Sequence, residues 1–132
     1  MRSTMDVWTY PEGAFGSDVS PRNVVGYGVE AEDGSIGKVD DATYEVGSSY
    51  LVVDPGPWIF GKKVMLPAGV INRVDLDTET VFVNRTKDQI KNAPEYHEDE
   101  HRTDDSYRER YRSDLGSYYG PGGAGYRDDD LI

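Results

Sequence analysis

The sequence predicts a small all-β protein, an antiparallel barrel or sandwich of five or six short strands. Three observations lead there. Apolar and polar residues alternate with period two in short runs between Asn23 and Asn84. Turn residues rich in Gly, Asp and Pro separate those runs. No helical period intervenes between them.

The elements follow in chain order. Residues 1–22 carry Trp8, Tyr10 and Phe15 among Pro and Gly, and read as an extended arm whose aromatics pin to the strands. The run "VVGYGVEA" places Val25, Tyr27 and Val29 on one face, as a half-buried strand does. Asp33-Gly34 is a hairpin signal, because a type I′ turn needs positive φ and these residues tolerate it. "IGKVDDATYEV" is the return strand; Ile36, Val39 and Tyr44 break strict alternation, which predicts a bulge near Asp40-Asp41. "YLVVD" is short and apolar throughout, as a central strand is. "KKVMLP" puts Val64 and Leu66 on one face. A second hairpin runs from Ile71 or Val74 to Leu76, turns at Asp77-Thr78 and returns through Val81 and Val83. A short helix follows at about 86–93. Thr86 caps it, Gln89 stands three residues on as in a capping box, and Pro94 lies past its end.

Residues 97–132 differ in composition. Leu115, Leu131 and Ile132 are their only aliphatics beyond Ala, amid Asp, Glu, Arg, Tyr and Gly. "DDSYRERYRSDL" allows a brief helix with Tyr107, Tyr111 and Leu115 on one stripe. The segment as a whole is expected to be a mostly disordered acidic tail, with too little apolar surface to offset the entropy of ordering. The organisation expected is thus an arm (1–22), a folded domain (23–96) and a tail (97–132). A core confined to 23–83 is small, and domains of that size bury only about 60% of their unfolded surface. A homodimer or another protein partner is expected to supplement it.

Bulk properties exclude some functions. The net charge of −11 opposes DNA, and disfavours RNA, whose affinity for proteins comes largely from Lys and Arg on phosphates. The absence of Cys removes disulfide and thiol chemistry and fits a reducing cytoplasm. No secretory leader is visible, and no stretch approaches the roughly 18 apolar residues of a membrane span. The expected location is the cytoplasm.

Several motifs imitate chemistry. Gly56, Gly61 and Lys62 match G-x-x-x-x-G-K, the phosphate-binding loop. Pro57 has no N–H to offer a phosphate, and Trp58, Ile59 and Phe60 are bulky for such a cradle. Lys63 stands where a hydroxyl should meet magnesium, and the Val64/Leu66 alternation predicts a strand where a helix should open. "HEDEH", His97 to His101, matches the zinc-protease motif, but Asp99 and Glu100 leave no apolar face to bury, so a solvated acidic linker is expected. "DLDTETVF" lacks the Gly and the terminal Glu of a calcium loop. Asp40-Asp41 and Glu30/Glu32 are carboxylate pairs, though glycosidase chemistry needs a spacing of about 5 to 9.5 Å that sequence does not fix. Ser48-Ser49 has no nearby His to activate it. No catalytic, cofactor or metal residue is expected.

The ordered combination of Gly26-Tyr27-x-Val29, Asp33-Gly34 with Ile36-Gly37-Lys38-Val39, Tyr50 to Val53, Phe60-Gly61-Lys62-Lys63-Val64-x-Leu66-Pro67, Val81-x-Val83 and Thr86-Lys87-x-Gln89-Ile90 to Pro94 resembles a PRC-barrel domain in its stand-alone bacterial form. The resemblance spans about residues 20–96. It implies a six-stranded, antiparallel SH3-like β-barrel used for binding rather than catalysis. Relatives by this resemblance include the reaction-centre H subunit and a ribosome maturation factor. The chain shows neither the former's membrane helix nor the latter's N-terminal domain.

The expected function is a non-catalytic protein-interaction module. Its contact surface is the apolar triplet Trp58, Ile59 and Phe60 with Lys62 and Lys63, together with Tyr107 and Tyr111 of the tail; aromatic anchors beside charge suit protein recognition. The alternatives are a small-ligand or metal-binding barrel, enzymatic or not, that uses the barrel mouth with His97 and His101; and, more weakly, an RNA-processing or ribosome-associated accessory protein, whose tail stacks Tyr and Arg on RNA, or a reaction-centre H-subunit-like role.

Overall fold

A computed structural model of the chain describes residues 8, 10, 21–43, 49–56, 62–120 and 122–125. Six strands form one sheet: β1 (Gly28–Ala31), β2 (Gly34–Ala42), β3 (Tyr50–Asp54), β4 (Val64–Pro67), β5 (Ile71–Asp75) and β6 (Thr80–Val83). Their spatial order is β4-β3-β2-β1-β6-β5. Four of the pairings are antiparallel; β1 and β6 run parallel, with Gly28 opposite Thr80 and Glu30 opposite Phe82. The all-antiparallel expectation is corrected there. The two edge strands, β4 and β5, are consecutive in the chain and joined through the buried 3-10 turn Ala68–Val70. No ladder joins them among the described residues, so the sheet is barrel-like without being closed by hydrogen bonds.

The first hairpin forms with a different turn. Ala31 pairs with Gly34, so Glu32 and Asp33 are the corner, and neither has positive φ. Tertiary bonds override the local turn preference. The Glu32 N–H donates to the Arg85 carbonyl at 2.9 Å, and the Asp33 carboxylate accepts the Lys87 N–H at 2.8 Å. Gly34 absorbs the sharp exit at φ 140°. Upstream, Gly26 at φ 92° breaks the expected strand, which leaves Val25 half exposed rather than inward. The bulge expected near Asp40-Asp41 is present, between Val39 and Asp41. With it, β2 buries Ile36, Val39 and Ala42 at a spacing of three.

In the second hairpin, the Asp75 carboxylate accepts the N–H groups of Asp77 and Thr78, an Asx turn that places Leu76 at the exposed corner rather than on the inner face. β3 buries Leu51, Val52 and Val53 in succession, as a strand covered on both faces must. The short helix α1 (Lys87–Lys91) has the capping box intact. Thr86 Oγ1 accepts the Gln89 N–H at 3.2 Å and Gln89 Oε1 accepts the Thr86 N–H at 2.9 Å.

The expectation of a mostly disordered 97–132 is corrected by two helices, α2 (Glu98–Thr103) and α3 (Asp105–Tyr119). The Asp104 carboxylate caps α3 by accepting the Tyr107 N–H. Tyr107, Tyr111, Leu115 and Tyr119 recur every fourth residue and form one buried stripe. Tyrosine serves a polar segment as core because each ring buries while the hydroxyl finds backbone. Tyr111 donates to the Pro94 carbonyl, Tyr118 donates to the Gln89 carbonyl, and Tyr107 accepts the His97 N–H. These rings join the same cluster as Val29, Leu51 and Ile71. The premise for a second copy of the chain, a core confined to residues 23–83, therefore falls away. Of the arm, Trp8 is buried and its carbonyl accepts the Ser49 N–H at 2.8 Å, while the Tyr10 hydroxyl donates to the Thr43 carbonyl. Phe15 and Tyr44 lie outside the described residues, as do residues 126–132. No helix among the described residues is long and apolar enough to cross a membrane.

Two buried polar side chains meet where α3 ends. Arg85 is wholly buried: its Nε donates to the Gly125 carbonyl at 2.6 Å and its Nη1 donates to Asn84 Oδ1 at 2.6 Å. Its guanidinium stands 5.8 Å from the Tyr119 ring centre. The Tyr119 hydroxyl is buried with no hydrogen-bond partner among the described residues. Leaving a hydroxyl buried and unbonded costs about 1–3 kcal/mol. Tyr119→Phe is therefore expected to leave stability unchanged or raise it by about 1 kcal/mol, read as a rise in the urea midpoint at constant slope.

Candidate functional site

The expected contact residues separate in the structure. Trp58, Ile59, Phe60 and Gly61 lie outside the described residues. Lys62 and Lys63, which enter β4, form a charged rim with the segment before α2. Lys62 Nζ is 2.7 Å from Glu95 Oε2. Lys63 Nζ lies 2.9 Å from Asp40 Oδ2 and 3.2 Å from Glu98 Oε2. The hydrogen bond from Lys62 holds the Glu95 carboxyl below its ordinary range, and those to Asp40 and Glu98 raise the Lys63 ammonium above its own. Exposed pairs of this kind are screened by solvent, so the rim orients charge more than it stabilises the fold.

Tyr107 and Tyr111 are not part of that surface. They are 7% and 5% exposed and stack on one another at 5.7 Å and 11°. Their placement in the expected contact surface is corrected: the stripe that seemed free to meet a partner packs on the chain's own sheet.

The motif lookalikes resolve individually. After the loop at Gly56 the chain enters β4, and Lys62 turns to Glu95. "HEDEH" is helical from Glu98 rather than a loose linker. His97 stands at the helix start beside Tyr107, whereas His101 lies edge-on to Tyr50, Tyr96 and Tyr111. No group of three or more His, Cys, Asp or Glu suited to a metal occurs among the described residues.

Where the arm, the sheet and α3 meet there is a cleft of about 320 Å³. Met65 of β4 and Tyr50 of β3 form its sheet side, with Thr43 beside them. Trp8 comes from the arm, His101 from α2, and Arg108, Tyr111 and Arg112 from α3. Arg112 stands 5.3 Å from the Trp8 ring centre. Arg108 is held in place: Nη1 donates to the His101 carbonyl at 2.7 Å and Nη2 pairs with Asp105. Burial first, and the Arg108 charge second, lower the His101 pKa from its ordinary 6.5, so the imidazole is neutral at pH 7. The cleft has aromatic walls and two guanidinium groups, and Glu109 is the carboxylate in its lining. With Arg108 paired to Asp105 and Glu109 in the lining, the cleft is of mixed charge. The sequence displayed its signal as the interleaved Tyr107, Arg108, Arg110, Tyr111 and Arg112. What could not be read there was that Trp8, a hundred residues upstream, completes it.

No family model matches the chain. Over 90 residues it is 40% identical to an uncharacterized protein of Deinococcus radiodurans; the match takes in 64% of this chain and 31% of that protein, so the chain spans about a third of its relative's length. Among solved structures it is similar to one described as a 16S ribosomal RNA processing protein, RimM, of Pseudomonas aeruginosa. The identity is 17%, the TM-score is 0.46, and the match covers 59% of this chain and 49% of that one.

Proposed function

We propose that the chain is a non-catalytic protein-interaction module built on a PRC-type, SH3-like barrel. The contact surface is the segment Trp58-Ile59-Phe60 flanked by the Lys62 and Lys63 rim. The observation that supports this reading is the rim itself. Lys62 and Lys63, which follow the apolar triplet in the sequence by two and three residues, are gathered with the carboxylates of Asp40, Glu95 and Glu98. Recognition surfaces combine an apolar centre with a polar, solvent-accessible border in this way. Fixing the lysines in pairs also limits the side-chain freedom lost when a partner docks.

Co-purification from native cells with full-length Trp58→Ala tests the reading, with Leu76→Ala at the exposed corner of the second hairpin as the control. A discrete set of proteins retained by the control and lost with Trp58→Ala, at unchanged melting temperature, is the expected result. Identical partners for both variants would remove the segment from the contact surface.

A further inference from the structure

We propose that α2 is an acid-released clasp: protonation of His101 lifts the helix off the tyrosine rings that seat it and draws Glu98 away from Lys63. The device concerns only how α2 is held, so it stands whether or not the rim meets a partner.

The attachment of α2 is slight. The helix has six residues and buries none of them. Isolated helices shorter than about 12–15 residues are marginal in water, so α2 persists through its contacts. Its N-cap, His97, supplies no side-chain hydrogen bond. Two bonds tie its backbone to α3: the His97 N–H donates to the Tyr107 hydroxyl, and the His101 carbonyl accepts Arg108. Its seat on the sheet is the His101 ring. That ring meets Tyr50 of β3 at 6.0 Å, Tyr96 at 5.3 Å and Tyr111 of α3 at 6.4 Å, each near a right angle. Glu98 is the other half-buried side chain of the helix, and it reaches Lys63 at 3.2 Å.

A positive charge on that ring is poorly accommodated. Burial first, and the Arg108 charge second, disfavour it. Tyr96 and Tyr111 are no counter-ions, because burial raises both hydroxyls, Tyr96 to about 12. Met65 of β4 and Trp8 of the arm face the cleft uncharged. On α3, Arg112 is a further cation in the lining, and the opposing carboxylate of Glu109 is exposed. On α2 itself, Glu98 is turned to Lys63 and Asp99 to Arg102, while Glu100 is exposed.

The sign follows from linkage. A released helix has the ordinary histidine value of 6.5, and the docked one binds the proton less readily. Docking is therefore at full strength above about pH 6.5 and weakens as the pH falls below it, until the docked ring is itself protonated. Glu98 travels with α2, whereas Lys63 keeps Asp40.

The test follows the full chain by NMR with a chelator present. The His101 imidazole is titrated directly. Amide exchange, corrected for its intrinsic dependence on pH, is compared at about pH 7.5 and about pH 5. The expected midpoint of His101 lies below 6.5. The His101 and Asp104 amides, which bond within α2, should lose protection by at least about threefold in acid while those of β2 and β3 hold. The Lys63 side-chain resonances should move with the His101 midpoint. His101→Phe keeps an aromatic ring with no proton to gain and should abolish the loss; His97→Gln should retain it. A His101 midpoint at or above 6.5 in the unaltered chain overturns the proposal, even if the Phe variant does not fold. So do α2 amides equally protected at both pH values, a Lys63 signal that ignores the midpoint, a His101→Phe helix that loosens in acid as the parent does, or a His97→Gln helix that no longer does.

Discussion

Gly37→Ala is expected to destabilise the chain by at least about 4 kcal/mol, a size reached only where a substitution has no room to relax. A Cβ at position 37 would stand 2.0 Å from the Asp54 carbonyl oxygen and 2.8 Å from Pro55 Cα. Both are backbone atoms at the end of β3, so no side chain can swing aside. The φ of 141° adds a conformation that residues with a Cβ rarely adopt. A protein of this length is stable by roughly 0.05–0.15 kcal/mol per residue, or on the order of 5–15 kcal/mol in all, so the variant sits near or past its unfolding threshold at 37 °C. Gly26→Ala separates the two causes. Its φ is 92°, yet nothing lies within 4 Å of the added carbon. It should lose about 1 kcal/mol from conformation alone. Urea titrations of both variants, followed by circular dichroism, measure the difference. Equal losses would mean that β2 and β3 do not approach so closely.

Arg85→Met comes next, with an expected loss of about 2–4 kcal/mol. Methionine retains most of the aliphatic stem, so the change removes the guanidinium rather than the packing. It takes away the Nε donor to the carbonyl of buried Gly125 and the Nη1 donor to Oδ1 of half-buried Asn84. A buried charge is sometimes replaced by an apolar residue at no cost, because its desolvation penalty disappears with it. Here that relief is set against the buried Gly125 carbonyl losing its donor, and that acceptor decides the sign. Arg85→Lys should fall between, since one ammonium has no planar fork to serve both sites. Hydrogen exchange gives an independent reading. The Gly125 N–H, bonded to the Tyr118 carbonyl, should lose protection in Arg85→Met well before the amides of β2 and β3 do. A variant as stable as the parent, with Gly125 equally protected, would show that the arginine does not hold the end of α3.

The β-hairpins and α1 were legible because their signals are local. The bulge at Val39–Asp41 showed as a break in alternation, and the Thr86/Gln89 box lies within four residues. What failed depends on distant partners. The corner at Glu32-Asp33 is set by Arg85 and Lys87, more than fifty positions away. The parallel pairing of β1 with β6 leaves no mark in either strand. A brief helix over Tyr107, Tyr111 and Leu115 was legible, but α2 and the packing of α3 on the sheet were not, for a chemical reason. Residues 97–132 hold few aliphatic side chains, and the buried stripe there is largely tyrosine. The spacing of Tyr107, Tyr111 and Leu115 was visible, but the sheet face awaiting it was not. The cleft was half legible, since Arg108, Tyr111 and Arg112 announce a cationic and aromatic helix face while the contribution of Trp8 exists only after folding.

The parallel β1–β6 ladder also bears on how the chain emerges from the ribosome. Gly28 and Thr80 stand 52 positions apart. At synthesis rates of about 5–20 residues per second, β1 waits roughly 3 to 10 s before its neighbour has been made. For that interval the nascent hairpin carries one naked flank, open to any passing strand. Until translation passes Val83, that flank of β1 has no partner within its own chain.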